Sequence, residues 1–143
     1  MPRVIVFDVN ETLLDLSALN THFERIFGDA GVRRLWFAQV LQSALVSAIT
    51  DRYTDFGTVG GAALAMVAER QGITLTDADR QTVREAMLNL PPHPEVRAAL
   101  EKLQKAGLRL AALTNSAQAA AETQLTNAVS SVLGSWAKVV LLV

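Results

Sequence analysis

The chain has 143 residues, 50% hydrophobic and 19% charged, with 13 Lys and Arg against 14 Asp and Glu. That length fits one domain with a real core, and the apolar share excludes disorder as the default state. A net charge of −1 and the lack of cysteine argue against nucleic-acid or anionic-lipid partners and exclude disulfides, thiolate catalysis and cysteine-ligated zinc. No apolar run reaches the roughly 18–20 residues that span a bilayer. The N-terminus lacks the longer apolar stretch of a secretory signal, so a soluble, cytoplasmic protein with no membrane partner is expected.

Val4-Ile5-Val6-Phe7 is a β-branched and aromatic run that stops at Asp8. Such a run suits a parallel strand buried on both faces. Leu16, Leu19, Phe23, Ile26 and Phe27 then recur at helical spacing, with Gly28 and Gly31 as stop signals. Leu35 to Ala48 reads as one long helix, and Ala62 to Ala68 as another that closes at Gly72. Thr76 with Asp79 three residues on reads as a helix N-cap, and Val83, Met87 and Leu88 continue that helix. Leu90-Pro91-Pro92-His93-Pro94 enforces an extended linker. A helix bearing Val96, Ala99, Leu100 and Leu103 ends at Gly107, and Leu108–Leu113 is a second strand. An alanine-rich helix from Ala117 to about Ala128 follows, and Lys138–Val143 reads as a third strand.

This order predicts an α/β fold with an inserted helical piece. The α/β core is expected at 1–31 and 91–143, and the all-helical insertion at 32–90.

Two strands end in polar clusters, Asp8-Val9-Asn10-Glu11-Thr12 and Thr114-Asn115-Ser116. In open α/β sheets ligands bind beyond the carboxyl ends of the strands. A carboxylate at one strand end beside an amide and a hydroxyl at the next suits nucleophilic attack by Asp8 through a covalent ester. Thr12 would hold that carboxylate, while Asn115 and Ser116 would bind an anionic or carbonyl group of the substrate. Each of the last two could instead cap the following helix. Asn10 is read as a loop residue bonding its own backbone, although it joins the substrate-binding candidates. Glu11 and Asp15 read as first-turn acids, and His93 as a linker residue with no metal-ligand company.

The segment from Val4 to Asp15 resembles the first motif of the haloacid dehalogenase superfamily, and Leu113-Thr114-Asn115-Ser116 its second. The helical insertion matches that family's cap subdomain, and Trp36-Phe37-Ala38-Gln39 is similar to the 2-haloacid dehalogenase branch. The resemblance implies a partial Rossmannoid parallel sheet with the first strand at its centre. It also implies hydrolysis of short 2-haloacids to 2-hydroxy acids, with no metal and no cofactor. Asp8 and Thr12 would be catalytic; Asn10, Asn115, Ser116, Phe37 and Gln39 would bind substrate.

Three departures qualify that expectation. Asn10 stands where phosphatases of the superfamily carry a second aspartate, which disfavours the alternative of a magnesium-dependent phosphatase. Phe37 stands where the resemblance places an arginine, with Arg33 and Arg34 nearby in sequence. The implied lysine and acidic strand end should follow the second motif, yet Lys138 is the only lysine after it and no acid follows Glu122. A truncated, catalytically inactive protein of the same fold is therefore the other alternative. On that view the first strand becomes a sheet edge, and the chain is expected to be insoluble or a homo-oligomer.

Overall fold

The computed structural model describes residues 3–130 and 136–141. It divides into two units: the chain up to Leu16 together with the chain from Leu88 on, and Ser17–Met87 between them.

The first unit is the α/β one. Strand β1 (Val4–Phe7) pairs in parallel with β2 (Arg109–Thr114), from Val4 opposite Arg109 to Phe7 opposite Ala112. Strand β3 (Trp136–Leu141) pairs in parallel with the other side of β2, and the register slips between Leu110 and Ala112. The sheet order is β1-β2-β3. Helix α5 (Val96–Lys105) packs on β2, and α6 (Gln118–Val129) on β3. Leu100, Leu110, Ala112, Ala121 and Leu125 are buried among these elements. Gly107 ends the turn after α5 at φ 77°, a left-handed conformation that costs glycine little. The third strand begins two residues earlier than expected and includes Lys138 by its backbone; the last two residues of that expectation lie outside the described residues.

β1 does not show the two-sided burial that its composition predicts. Val4 is 49% exposed and Val6 54% exposed. Exposure alternates along the strand: Val4 and Val6 share one face and are open to solvent, while Ile5 and Phe7 on the other face are half-buried. β1 also ends the sheet, so its outer backbone edge has no neighbouring strand among the described residues. An apolar edge strand is a template for pairing with another chain. Val6→Lys is expected to lower self-association, because a charge on an edge strand opposes docking. Sedimentation velocity at low micromolar concentration checks this: the variant should run lighter than the parent, and identical profiles would count against it.

The second unit is helical. After a short 3-10 turn (Leu16–Leu19) come α1 (Asn20–Phe27), α2 (Val32–Ile49), α3 (Phe56–Arg70) and α4 (Asp77–Leu88). The stretch from Ser17 to Gly31, expected with the strands, lies here because α1 packs on α2. Phe23 is fully buried, stacks on Phe27 at 5.5 Å and meets the tilted Trp36 ring at 5.2 Å. The Trp36 indole N–H donates to the Gly60 carbonyl at 2.9 Å, which joins α2 to α3. No helix among the described residues is long and apolar enough to cross a membrane.

The predicted cap of α4 is present. The Asp79 N–H donates to the Thr76 hydroxyl at 3.1 Å, and the Thr76 N–H and hydroxyl donate back to Asp79 Oδ2 at 3.0 and 2.7 Å. Those Thr76 bonds, helped by Arg25 at 3.0 Å, hold the Asp79 carboxyl below its ordinary pKa. A depressed folded pKa stabilises above the unfolded value of about 3.9, and that stability is lost as pH falls through the folded value. The melting temperature of the parent is therefore expected to drop more steeply below about pH 4 than that of Asp79→Asn. Parallel melting curves for the two would contradict this. Thr76→Ala should cost about 1 kcal/mol at neutral pH through the lost cap.

Candidate active site

Parallel pairing puts the carboxyl ends of β1 and β2 at one edge of the sheet, because Phe7 stands opposite Ala112. Asp8 follows directly on β1, and Thr114 closes β2. Two polar clusters far apart in sequence therefore meet at one edge.

The loop after β1 is held by its own backbone. The Leu13 and Leu14 N–H groups donate to the Val9 carbonyl at 2.9 and 3.0 Å, and the Glu11 N–H donates to the Leu14 carbonyl at 2.9 Å. Glu11 takes φ 68°, a left-handed conformation that costs a non-glycine residue about 1–2 kcal/mol. It is thus a loop residue rather than the first-turn acid expected. Asp15, also expected in a helical turn, lies in this loop and donates its N–H to the Pro91 carbonyl at 2.8 Å.

The proline-rich segment does more than link. The His93 N–H donates to the Leu13 carbonyl at 3.0 Å, and His93 Nε2 lies 3.2 Å from the Glu11 carbonyl. Pro91 and His93 thus clamp the loop that carries Asp8.

Within that loop the Thr12 hydroxyl donates to Asp8 Oδ2 at 2.8 Å. Asp8 and Thr12 are both exposed, so the carboxylate is open to a solute. Asn10 does not bond its own backbone as expected. Its Nδ2 donates to Ser116 Oγ at 3.4 Å, and its Oδ1 accepts from Gln124 Nε2 at 3.4 Å. Asn10 is the side chain that joins the β1 loop to the turn after β2.

That turn is tied by the Ser116 N–H donating to Thr114 Oγ1 at 3.2 Å. Ser116 is only 5% exposed, whereas Asn115 is exposed. The N-cap of α6 is Ala117, so the capping role open to Asn115 and Ser116 falls to neither.

Phe37 and Gln39 belong to the helical unit. Phe37 is half-buried on α2 with its ring 6.1 Å from Trp36. Gln39 donates to Ser43 at 3.1 Å and accepts from Arg70 at 3.0 Å. Arg33 is buried and donates to Asn20 at 2.8 Å, so it is already engaged there.

Sequence reasoning missed Gln124 and the clamping role of His93. Gln124 had a readable signal: it interrupts the small and apolar positions Ala121, Leu125 and Ala128 on the buried face of α6. A polar side chain on such a face needs hydrogen-bond partners. His93 had none, because its contact lies 82 residues away.

Comparison with known proteins places the chain in a family. A family model of haloacid dehalogenase-like hydrolases matches residues 2–137. An (S)-2-haloacid dehalogenase of Pseudomonas putida is 30% identical over 126 residues, which cover 86% of this chain and 55% of that protein. Haloacetate dehalogenase H-2 of a Moraxella species is 29% identical over 79% of this chain and 51% of its own length. The chain spans about half the length of the curated relatives it matches. The structure of L-2-haloacid dehalogenase from Xanthobacter autotrophicus with chloropropionic acid covalently bound superposes with a TM-score of 0.85 at 25% identity. That match covers 99% of this chain and 57% of the other. The backbone of another L-2-haloacid dehalogenase matches with a TM-score of 0.91 over 98% of this chain and 63% of its own, at 23% identity.

Proposed function

The chain belongs to the haloacid dehalogenase-like hydrolases, and from that premise we propose that it hydrolyses short 2-haloacids with Asp8 as the nucleophile. One observation carries the reading. The only carboxylate directly at the end of β1 is exposed and held on one oxygen, Oδ2, by the Thr12 hydroxyl. A hydrogen-bonded oxygen is the poorer nucleophile, so Oδ1 makes the attack. The structure of the relative with chloropropionic acid covalently bound supports a covalent route.

In the first step Asp8 Oδ1 bonds to the α-carbon of the haloacid, and the halide leaves with the electron pair of the carbon–halogen bond. In the second step water attacks the carbonyl carbon of the new ester. The bond between that carbon and the ester oxygen breaks, and the departing 2-hydroxy acid gains one proton. A second proton goes to solvent, and the Asp8 carboxylate is restored. Asn115 and Ser116 are proposed to bind the substrate carboxylate, an amide and a hydroxyl being groups that can donate to an anion.

Chloroacetate and a phosphate ester distinguish this reading from a phosphatase. Chloride and glycolate are expected from the first, with no magnesium-dependent phosphate release from the second. Phosphate release without chloride would overturn the proposal.

A further inference from the structure

Gln124 lies on α6, 114 residues beyond Asn10, and is 2% exposed. A buried glutamine amide at such a place has a direction as well as a presence. Its Nε2 donates to Asn10 Oδ1, and Asn10 Nδ2 in turn donates to Ser116 Oγ. An amide offers an acceptor on one side and donors on the other. The bond from Gln124 therefore fixes which side of the Asn10 amide faces Ser116. Ser116 Oγ is made an acceptor, and its hydroxyl hydrogen is left to donate elsewhere. An anion needs that donor.

We propose that Gln124 is a positioning residue that sets, through Asn10, the Ser116 hydroxyl as a donor to the substrate carboxylate. This rests on the haloacid reading for the identity of the anion, but the relay itself does not. Reversing the direction of the relay should matter more than weakening it. Gln124→Glu replaces a donor by an acceptor, so the Asn10 amide turns over to satisfy it. Asn10 Oδ1 then faces Ser116 Oγ and draws the hydroxyl hydrogen inward. Gln124→Met, of similar volume, removes the bond without reversing it and serves if the buried acid does not fold. Side-chain networks of this kind are resolved by double-mutant comparison.

The test uses the full chain labelled with nitrogen-15, titrated with lactate, a 2-hydroxy acid that cannot lose halide. In Gln124→Glu the Asn10 side-chain amide resonances should move, and lactate affinity should fall about tenfold, the scale of one charge-assisted hydrogen bond. Gln124→Met should move the same resonances with a smaller loss of affinity. Ser116→Ala should lower affinity in the parent and add little on top of Gln124→Glu. A purely structural glutamine would instead give independent, additive losses and overturn the proposal. Unmoved Asn10 resonances in both variants would also overturn it. A parent chain that binds no lactate removes the haloacid reading, and the relay is then decided by the Asn10 amide itself: nuclear Overhauser contacts of its side-chain N–H groups that leave Ser116 for α6 in Gln124→Glu keep it, and contacts that stay on Ser116 end it.

Discussion

Asp8→Asn is expected to lower chloride release from 2-chloropropionate by several orders of magnitude, on the order of 10⁴–10⁶ as for the loss of other enzymic nucleophiles. An amide of the same shape accepts the Thr12 bond but cannot form the ester. Asp8→Ala should lose as much and guards against slow conversion of the asparagine back to aspartate. Thr12→Val should lose less, because it removes the hydrogen bond and leaves the nucleophile. Turnover of the unaltered chain is itself expected to be slow. The Asp8 and substrate carboxylates are both anions, and Asp8 has no ion pair among the described residues. Two like charges about 4 Å apart at an effective dielectric constant of about 20 repel by about 4 kcal/mol. That corresponds to roughly a thousandfold in rate. Chloride release at the rate ordinary for 2-haloacid dehalogenases would show that a cation reaches the site.

The largest expected effect on stability lies in the helical unit. Phe23→Ala should cost about 3–5 kcal/mol, the range for deleting a buried aromatic ring. Phe23 is fully buried between Phe27 and Trp36, so the loss combines a cavity with two broken ring contacts. A cost of that size is a large fraction of the total stability of a small domain. Urea unfolding followed by circular dichroism gives the loss. The Trp36 indole N–H resonance, bonded to Gly60, reports whether the packing of α2 on α3 survives. A loss below about 1 kcal/mol would mean that the unit collapses around the missing ring.

Local patterns carried most of the fold. β1 and β2 are legible because continuous apolar runs stop at polar residues, and the α4 cap because Thr76 and Asp79 sit three apart. The same patterns misjudge the surroundings of an element. β1 reads as buried on both faces, but Val4 and Val6 on one face are exposed while Ile5 and Phe7 on the other are half-buried, and what covers each face of a strand is a tertiary property that its own composition does not carry. At the site, Asp8 and Thr12 were legible because their bond spans four residues. The links from Asn10 span 106 residues to Ser116 and 114 to Gln124, beyond any periodicity in one sequence. Hence Asn10 looks in sequence like a loop residue bonding its own backbone, and nothing near Gln124 in the chain points to Asn10.

The Asp8 carboxylate is expected to enter the reaction covalently. With the chain in excess over 2-chloropropionate in heavy-oxygen water, a single turnover separates the routes. Attack of water on the Asp8 ester should leave one heavy oxygen in the peptide that carries Asp8 and release lactate with ordinary oxygen. Lactate bearing the heavy oxygen beside an unlabelled Asp8 peptide, or no lactate at all, would contradict covalent attack by Asp8.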